Sequence, residues 1–197
     1  GTTWLGGLLG ESPDVAYWVE PRQVWTYRNW FEGSDRLTEE NVTEPIRKHI
    51  RKRFETYALE HDRQHFIEKT PSNCFRVPFM RQIFPEAKFI LLIRDGRAVV
   101  RSTDEIMAKG PDNSRIVQRI KESTLGELPA IAMRIPWLVQ KVLGRRVNSW
   151  GVHPPGWRDW PSDLNPLQSA ARQWSESINA AVRDFRDLPE RQKTVLR

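Results

Sequence analysis

Four short stretches of the 197-residue chain carry side chains suited to chemistry on an anion. Gly1-Thr2-Thr3 stands directly before Trp4, Leu5, Leu8 and Leu9, whose spacing predicts one apolar face of a helix. Successive backbone N–H groups at such a start, two hydroxyls and the positive end of the helix dipole form an anion cradle, although the same residues also make an ordinary helix cap. A Walker-type loop sets a lysine before the threonine to reach a γ-phosphate, and none stands here, which disfavours ATP or GTP chemistry. Arg94-Asp95-Gly96-Arg97-Ala98-Val99-Val100-Arg101-Ser102 follows an apolar run. Arg94 at a strand end and Ser102 two turns into the next helix can converge on one phosphate, the alternative being a turn with its arginines in solvent. Glu68-Lys69-Thr70-Pro71-Ser72-Asn73 sets a charged pair at another strand end, against a solvated loop as the plain reading. Glu20-Pro21-Arg22 sets an acid and a base at the exit of a further strand, where the alternative is a surface ion pair of little worth.

The elements that must position these residues alternate between the two periodicities. Ser12-Pro13-Asp14 ends the first helix and Val15 to Val19 reads as a short strand. Asn41, with Glu44 three residues on, predicts a capping box opening a helix in which Ile46, Ile50, Phe54 and Ala58 recur every four residues. His65 to Lys69 reads as a strand ending at Thr70-Pro71, followed by a helix carrying Phe75, Phe79 and Ile83 and a turn at Phe84-Pro85-Glu86. Residues 88–93 are apolar enough to predict a strand buried on both faces, at the centre of the sheet. A helix is expected from about Ala98, and another over 128–143. A Pro/Gly/Trp-rich loop holds Trp150, Pro154, Pro155, Gly156, Trp157, Trp160 and Pro161. Asn165-Pro166 then caps a helix presenting Leu167, Ala170, Trp174, Ile178, Ala181 and Phe185 on one face, with a strand over 194–197 after it. This alternation predicts an α/β fold, a parallel sheet flanked by helices, with ligands beyond the carboxyl ends of its strands, where all four stretches fall.

The length suits one domain over 1–197, with a Trp/Pro-rich insertion at about 113–165. The 31 Lys+Arg against 25 Asp+Glu leave a net charge of +6, which favours polyanionic ligands from nucleic acid to phosphate-rich cofactors. Arg47-Lys48-His49-Ile50-Arg51-Lys52-Arg53 and nine Trp are what a nucleic-acid-binding reading would use, whereas a charge run on an amphipathic helix is ordinarily its solvated face. The one cysteine, Cys74, forms neither an internal disulfide nor a Cys-based zinc site, so a reducing, cytoplasmic setting is expected. No His/Cys cluster suggests a metal site. The most apolar segment, 131–143, is broken by Arg134, Pro136 and Lys141, so no membrane span is expected. A start at Gly1 without Met and an end on Val195-Leu196-Arg197 read as a fragment cut at both ends, with any targeting signal or anchor outside it.

Together these residues resemble the PAPS-dependent sulfotransferase family, its tyrosylprotein-sulfotransferase-like branch in particular. The resemblance runs from Gly1 to about Ser102 and resumes at Ala171-Arg172-Gln173-Trp174. It rests on the Gly-Thr-Thr-Trp-Leu end of a Pro-Arg-Ser-Gly-Thr-Thr phosphosulfate loop and on the Phe-Pro-x-Ala-Lys-Phe-Ile to Arg-Asp-Gly-Arg-Ala pattern, here Phe84 to Ala98. The resemblance implies a P-loop-like sheet that lacks here its first strand and its C-terminal part. It implies transfer of the sulfonate group from PAPS to an acceptor hydroxyl by in-line displacement, with PAP as product and no metal. By it, Gly1, Thr2, Thr3 and Trp4 hold the 5′-phosphosulfate, and Arg94 with Ser102 holds the 3′-phosphate. Glu20 matches the branch's general base, with Arg22 two residues on. Lys69 matches its strand-end lysine, although the usual Lys-Asp-Pro is here Lys69-Thr70-Pro71. Small-molecule members use a histidine base instead, and none of His49, His61, His65 or His153 stands at a comparable strand exit. The acceptor is a small molecule, a carbohydrate or a protein tyrosine. Trp150, Trp157 and Trp160 either stack on it or pack a lid with their own side chains. The competing classes are a P-loop-type nucleotide kinase and a basic nucleic-acid-binding domain.

Overall fold

The computed structural model describes residues 1–109, 113–132 and 151–197. In chain order the elements are α1 (Thr2–Leu9), β1 (Val15–Val19), α2 (Arg22–Trp25), α3 (Glu44–Glu60), β2 (His65–Lys69), α4 (Val77–Ile83), β3 (Phe89–Leu92), α5 (Gly96–Lys109), α6 (Asn113–Glu122), α7 (Leu128–Ala132), α8 (Pro166–Arg186) and β4 (Lys193–Leu196). Short 3-10 turns join several of them, and the 128–143 helix expectation is met at α7, its remainder lying outside the described residues. None of the described helices is long and apolar enough to cross a membrane.

The strands fall where the apolar runs predict them and every pairing is parallel, so the architecture is α/β. They form two two-stranded sheets, β1 with β2 and β3 with β4, where one sheet was expected. Among the described residues no ladder joins β2 to β3. Helix α1 lies where the two pairs approach: it packs on β1 and β2, and an added Cβ at Gly1 would meet the Leu92 side chain at the end of β3 at 3.1 Å.

β3 also departs from the expectation of burial on both faces. Leu91 is buried, whereas Ile90 is 46% exposed. Strand alternation places Phe89 and Leu91 on the face covered by α8, where Phe89 meets Phe185 with ring centroids 6.4 Å apart, and Ile90 on the other face. Among the described residues, α1 reaches the opposite face at its end, by Leu92.

The core is aromatic and centres on Phe54 of α3, which is fully buried. Its ring meets Trp18 of β1 edge-on at 5.3 Å, Trp25 of α2 at 4.9 Å, Phe66 of β2 at 4.7 Å and Phe84 at 5.7 Å. One side chain thereby ties α3 to the first sheet and to the α4–β3 turn. Burial of rings in edge-to-face and tilted contacts adds to the area term, typically about 0.5–1.5 kcal/mol for each pair.

Two local expectations change. The α3 helix begins at Glu44 with Thr43 as its cap, not at Asn41, whose side chain instead closes a box with Thr38 around the 3-10 turn 39–41. Pro45 explains this: it lacks an N–H and is suited to the first helical turn, and a cap at Asn41 would push it deeper. In α1 the predicted apolar face is only half used, by the partly buried Leu5 and Leu9. Trp4 is 71% and Leu8 47% exposed, while Gly6 is buried. Glycine sets the approach here, because a Cβ on Gly6 would lie 2.4 Å from the Tyr17 ring and one on Gly10 would lie 2.8 Å from the Tyr17 Cβ. At α8, by contrast, Asn165 and Gln168 close the predicted cap, with Asn165 Oδ1 accepting from Gln168 N at 2.9 Å.

Gly6→Ala is therefore expected to cost about 1–3 kcal/mol in urea unfolding through overpacking against Tyr17. Gly7→Ala, with nothing within 4 Å of its Cβ, is expected to be neutral or to gain about 1 kcal/mol of helix propensity. Equal effects at the two positions would contradict this packing.

Candidate active site

Glu20 extends the first ladder by one bond, its N–H donating to Lys69 O at 3.0 Å beyond the Val19–Lys69 pair. The chain then reverses. Arg22 N donates to Glu20 O at 2.7 Å across Pro21, whose φ of −74° and ψ of 60° describe an inverse γ-turn. Glu20 itself takes a φ of 54°, a left-handed conformation that is uncommon for a residue with a side chain and that concentrates at functional positions. Its carboxylate is nearly buried and doubly engaged. Lys69 Nζ donates to Oε1 at 2.8 Å, and Arg22 Nη2 stands 3.4 Å from Oε2. The structure thus brings together the acid and both bases that the sequence separates by up to 49 positions. Arg22 Nε is buried with no hydrogen-bond partner, which leaves a guanidinium donor beside the ion pair.

Lys69 leaves β2 at the turn formed by Thr70 and the 3-10 segment Pro71–Phe75. Here Glu68 accepts from Thr70 Oγ1 at 2.9 Å and from Asn73 Nδ2. Burial raises the Glu68 carboxyl to about 7, against the pull of the hydrogen bonds from Thr70 and Asn73 and of the Arg76 charge. Arg76, fully buried, donates through Nη2 to Asp35 Oδ1 at 2.7 Å and through Nε to Asp35 O at 3.1 Å. Burial lowers the Arg76 guanidinium below its ordinary value, with the Asp35 charge opposing. Asp35 Oδ2 in turn accepts from His153 N at 2.8 Å, so this pair also ties down the start of the 151–165 loop. Nothing local in the sequence signals it, since its members lie 41 and 118 positions apart.

On the donor side, the N–H groups of Thr2, Thr3 and Trp4 precede the first intrahelical bond, Leu5 N to Gly1 O at 2.9 Å, and no side chain caps them. Gly1, Thr2, Thr3 and Trp4 are all exposed. Arg94 is exposed beyond β3 and Ser102 stands partly buried in the second turn of α5. Asp95 accepts from Arg97 N at 2.9 Å and Ala98 N at 3.2 Å, capping α5. A Cβ on Gly96 would lie 2.9 Å from the Trp174 ring, so α8 buttresses the turn carrying Arg94. Trp157 donates to Gly33 O at 2.8 Å and stacks on His153 at 4.4 Å, and Arg172 lies 4.7 Å from the Trp160 ring centroid. These contacts hold both rings against the chain itself, as a packed loop does. Trp150 lies outside the described residues.

A helix start with spare N–H donors and strand-exit charges on a parallel α/β scaffold suit an anionic ligand. The chain belongs to the sulfotransferase family, whose profile matches residues 1–126. It is similar to human protein-tyrosine sulfotransferase 1, 32% identical over 116 residues, which are 52% of this chain and 30% of that protein. A putative protein-tyrosine sulfotransferase of Caenorhabditis briggsae is 27% identical over 110 residues, 53% of this chain and 39% of that one. The protein-tyrosine sulfotransferase of Drosophila melanogaster is 30% identical over 116 residues, 52% and 22% respectively. The chain thus covers well under half the length of these relatives. No solved structure matches.

Asp35→Ala is expected to lower stability by about 3–5 kcal/mol, because it leaves the Arg76 guanidinium buried and unpaired. Replacing both residues with apolar side chains of similar volume should recover most of that loss. A loss below about 1 kcal/mol in the single variant would show that the pair is solvated.

Proposed function

We propose that this protein transfers the sulfonate group of PAPS to an acceptor hydroxyl, with Glu20 as general base. A tyrosine hydroxyl of a protein is the acceptor class the relatives' names favour. The observation that carries the reading is the carboxylate of a strained, nearly buried Glu20 held between Lys69 and Arg22 at a strand exit.

The residues present fit PAPS. The spare amides of Thr2, Thr3 and Trp4 suit the 5′-phosphosulfate. Arg94, exposed and without an ion pair among the described residues, suits the 3′-phosphate together with the Ser102 hydroxyl. When bound, PAPS supplies the activated sulfonate group. Glu20 then takes the proton of the attacking hydroxyl, help typically worth about 10²–10⁴ in rate. Its ladder bond to Lys69 and the turn at Pro21 fix the direction of the carboxylate, and Arg22 holds Oε2 so that Oε1 meets the acceptor. Lys69, which here holds Oε1, would together with the helix-start amides supply positive charge toward the leaving group of a bound donor. The spare Arg22 Nε supports a role in contacting the acceptor.

Two outcomes test this on the full-length chain. PAP should raise the melting temperature far more than ADP, and Arg94→Ala should remove that preference while leaving ADP binding little changed; equal shifts by PAP and ADP would refute the donor assignment. Glu20→Gln should lower turnover by about two to four orders of magnitude with PAP affinity nearly intact. Full activity in that variant would move the base elsewhere.

A further inference from the structure

Beyond the Glu20 pair, one carboxyl beside the site is given no role by the mechanism. Residues 68 and 69 are consecutive in β2, so their side chains leave opposite faces of the strand. Lys69 Nζ reaches Glu20, while Glu68 turns back onto its own chain and gathers Thr70 Oγ1 and Asn73 Nδ2. The backbone of Lys69 is thereby enclosed, with its predecessor bonded to the side chains one and four positions after it. Two further bonds, Asn73 N to Thr70 O at 3.0 Å and Arg76 N to Asn73 O at 2.9 Å, continue the same turn into α4.

In and beside this turn three buried polar atoms have no hydrogen-bond partner: Ser72 Oγ, Asn73 Oδ1 and Arg76 Nη1. Unmet groups of this kind cost about 1–3 kcal/mol each and call for an explanation. A turn that needs freedom to rearrange supplies one, since it keeps donors and acceptors in reserve for a second arrangement.

We propose that Glu68 is a positioning residue for sulfonate transfer, and that its ionised carboxylate braces the Thr70–Asn73 turn and so directs Lys69. The inference rests on the sulfotransferase reading of the site. Ionised Glu68 accepts from both partners at once. A proton on the carboxyl removes the charge that strengthens both bonds, and on the oxygen facing Thr70 it obliges that hydroxyl to turn from donor to acceptor, so the turn loosens. The environment places that exchange in the ordinary working range, since burial raises the carboxyl to about 7. The charged group acting on it is Arg76, from the start of α4, while Thr70 and Asn73 of the turn act through neutral hydrogen bonds. The sign for folding is opposite to the sign for activity. The folded carboxyl holds its proton to about 7, whereas its ordinary value is 4.5, so the Glu68 contribution to stability is greatest below about 4.5 and falls as pH rises through about 7. Ionisation braces the turn at some expense to stability, a common arrangement at functional sites.

The test uses the full-length protein with PAPS and a tyrosine peptide as acceptor. The wild-type kcat is expected to fall about five- to tenfold from about pH 8 to about pH 6, with the PAPS KM within about twofold, and Glu68→Gln is expected to flatten that limb. The same acid limb in Glu68→Gln would assign it to another group and overturn the proposal. Amide hydrogen exchange on the wild-type protein gives a measure that needs neither turnover nor a folded variant. Protection of the Asn73 and Arg76 amides, corrected for intrinsic exchange, should drop about tenfold over the same interval. Constant protection would overturn the proposal. Absence of transfer by the wild-type protein at every pH would be a failure of the sulfotransferase reading, and the exchange measurement would still decide whether Glu68 controls the turn.

Discussion

The parallel register of β1 on β2 is the constraint on which the site depends. Val19 pairs with Lys69, and the next bond, Glu20 N to Lys69 O, carries the ladder one residue past the strand before Pro21 turns the chain away. That register places a carboxylate and an ammonium from strands some fifty residues apart within 2.8 Å. A one-residue slip of β2 would send Lys69 to the face now occupied by Glu68, and one of β1 would pull Trp18 out of the core, because side chains alternate along a strand. Trp18 is buried against Phe54 and stacks on Tyr57 at 4.2 Å, so hydrophobic packing enforces the register that brings Glu20 and Lys69 together.

Around this point the molecule accepts local costs that packing elsewhere offsets. Glu20 is held in a left-handed conformation, Arg76 is buried beside Asp35, and Glu68 is raised by burial. Each is unfavourable for folding when considered alone. The aromatic cluster around Phe54 and the contact of α8 with α5 supply the opposing stabilisation. The strained and titratable groups lie on the loops and strand ends, and the well-packed rings lie beneath them. Such a division lets a charged site be rigid without asking the charges themselves to hold the fold.

Much of this was legible in the sequence because it is local. Four strand positions follow from short apolar runs, the Asn165-Pro166 cap from its residue types, and the acid–base pair Glu20/Arg22 from its place at a strand exit. The resemblance of Gly1-Thr2-Thr3 and of Phe84 to Ala98 to sulfotransferases identified the family. What escaped is non-local or a matter of shape. Asp35 and Arg76 meet over 41 positions with no pattern to mark them. α1 meets Tyr17 through Gly6 and Gly10, a close approach that an apolar-spacing rule does not mark. β3 reads as a strand covered on both faces, yet among the described residues it pairs only with β4 and exposes Ile90. Trp157 and Trp160 are spent on His153, Gly33 and Arg172, contacts that composition alone does not distinguish from a ligand platform.

A crystal structure of the full-length protein with PAP and an acceptor tyrosine peptide shows whether the start of α1, the β3–α5 turn and the Glu20–Lys69 pair line one cleft. The 5′-phosphate is expected on the amides of Thr2 and Thr3, the 3′-phosphate on Arg94 and Ser102, and the tyrosine oxygen within hydrogen-bond reach of the Glu20 carboxylate. A nucleotide bound elsewhere, or a tyrosine oxygen remote from Glu20, would contradict that expectation.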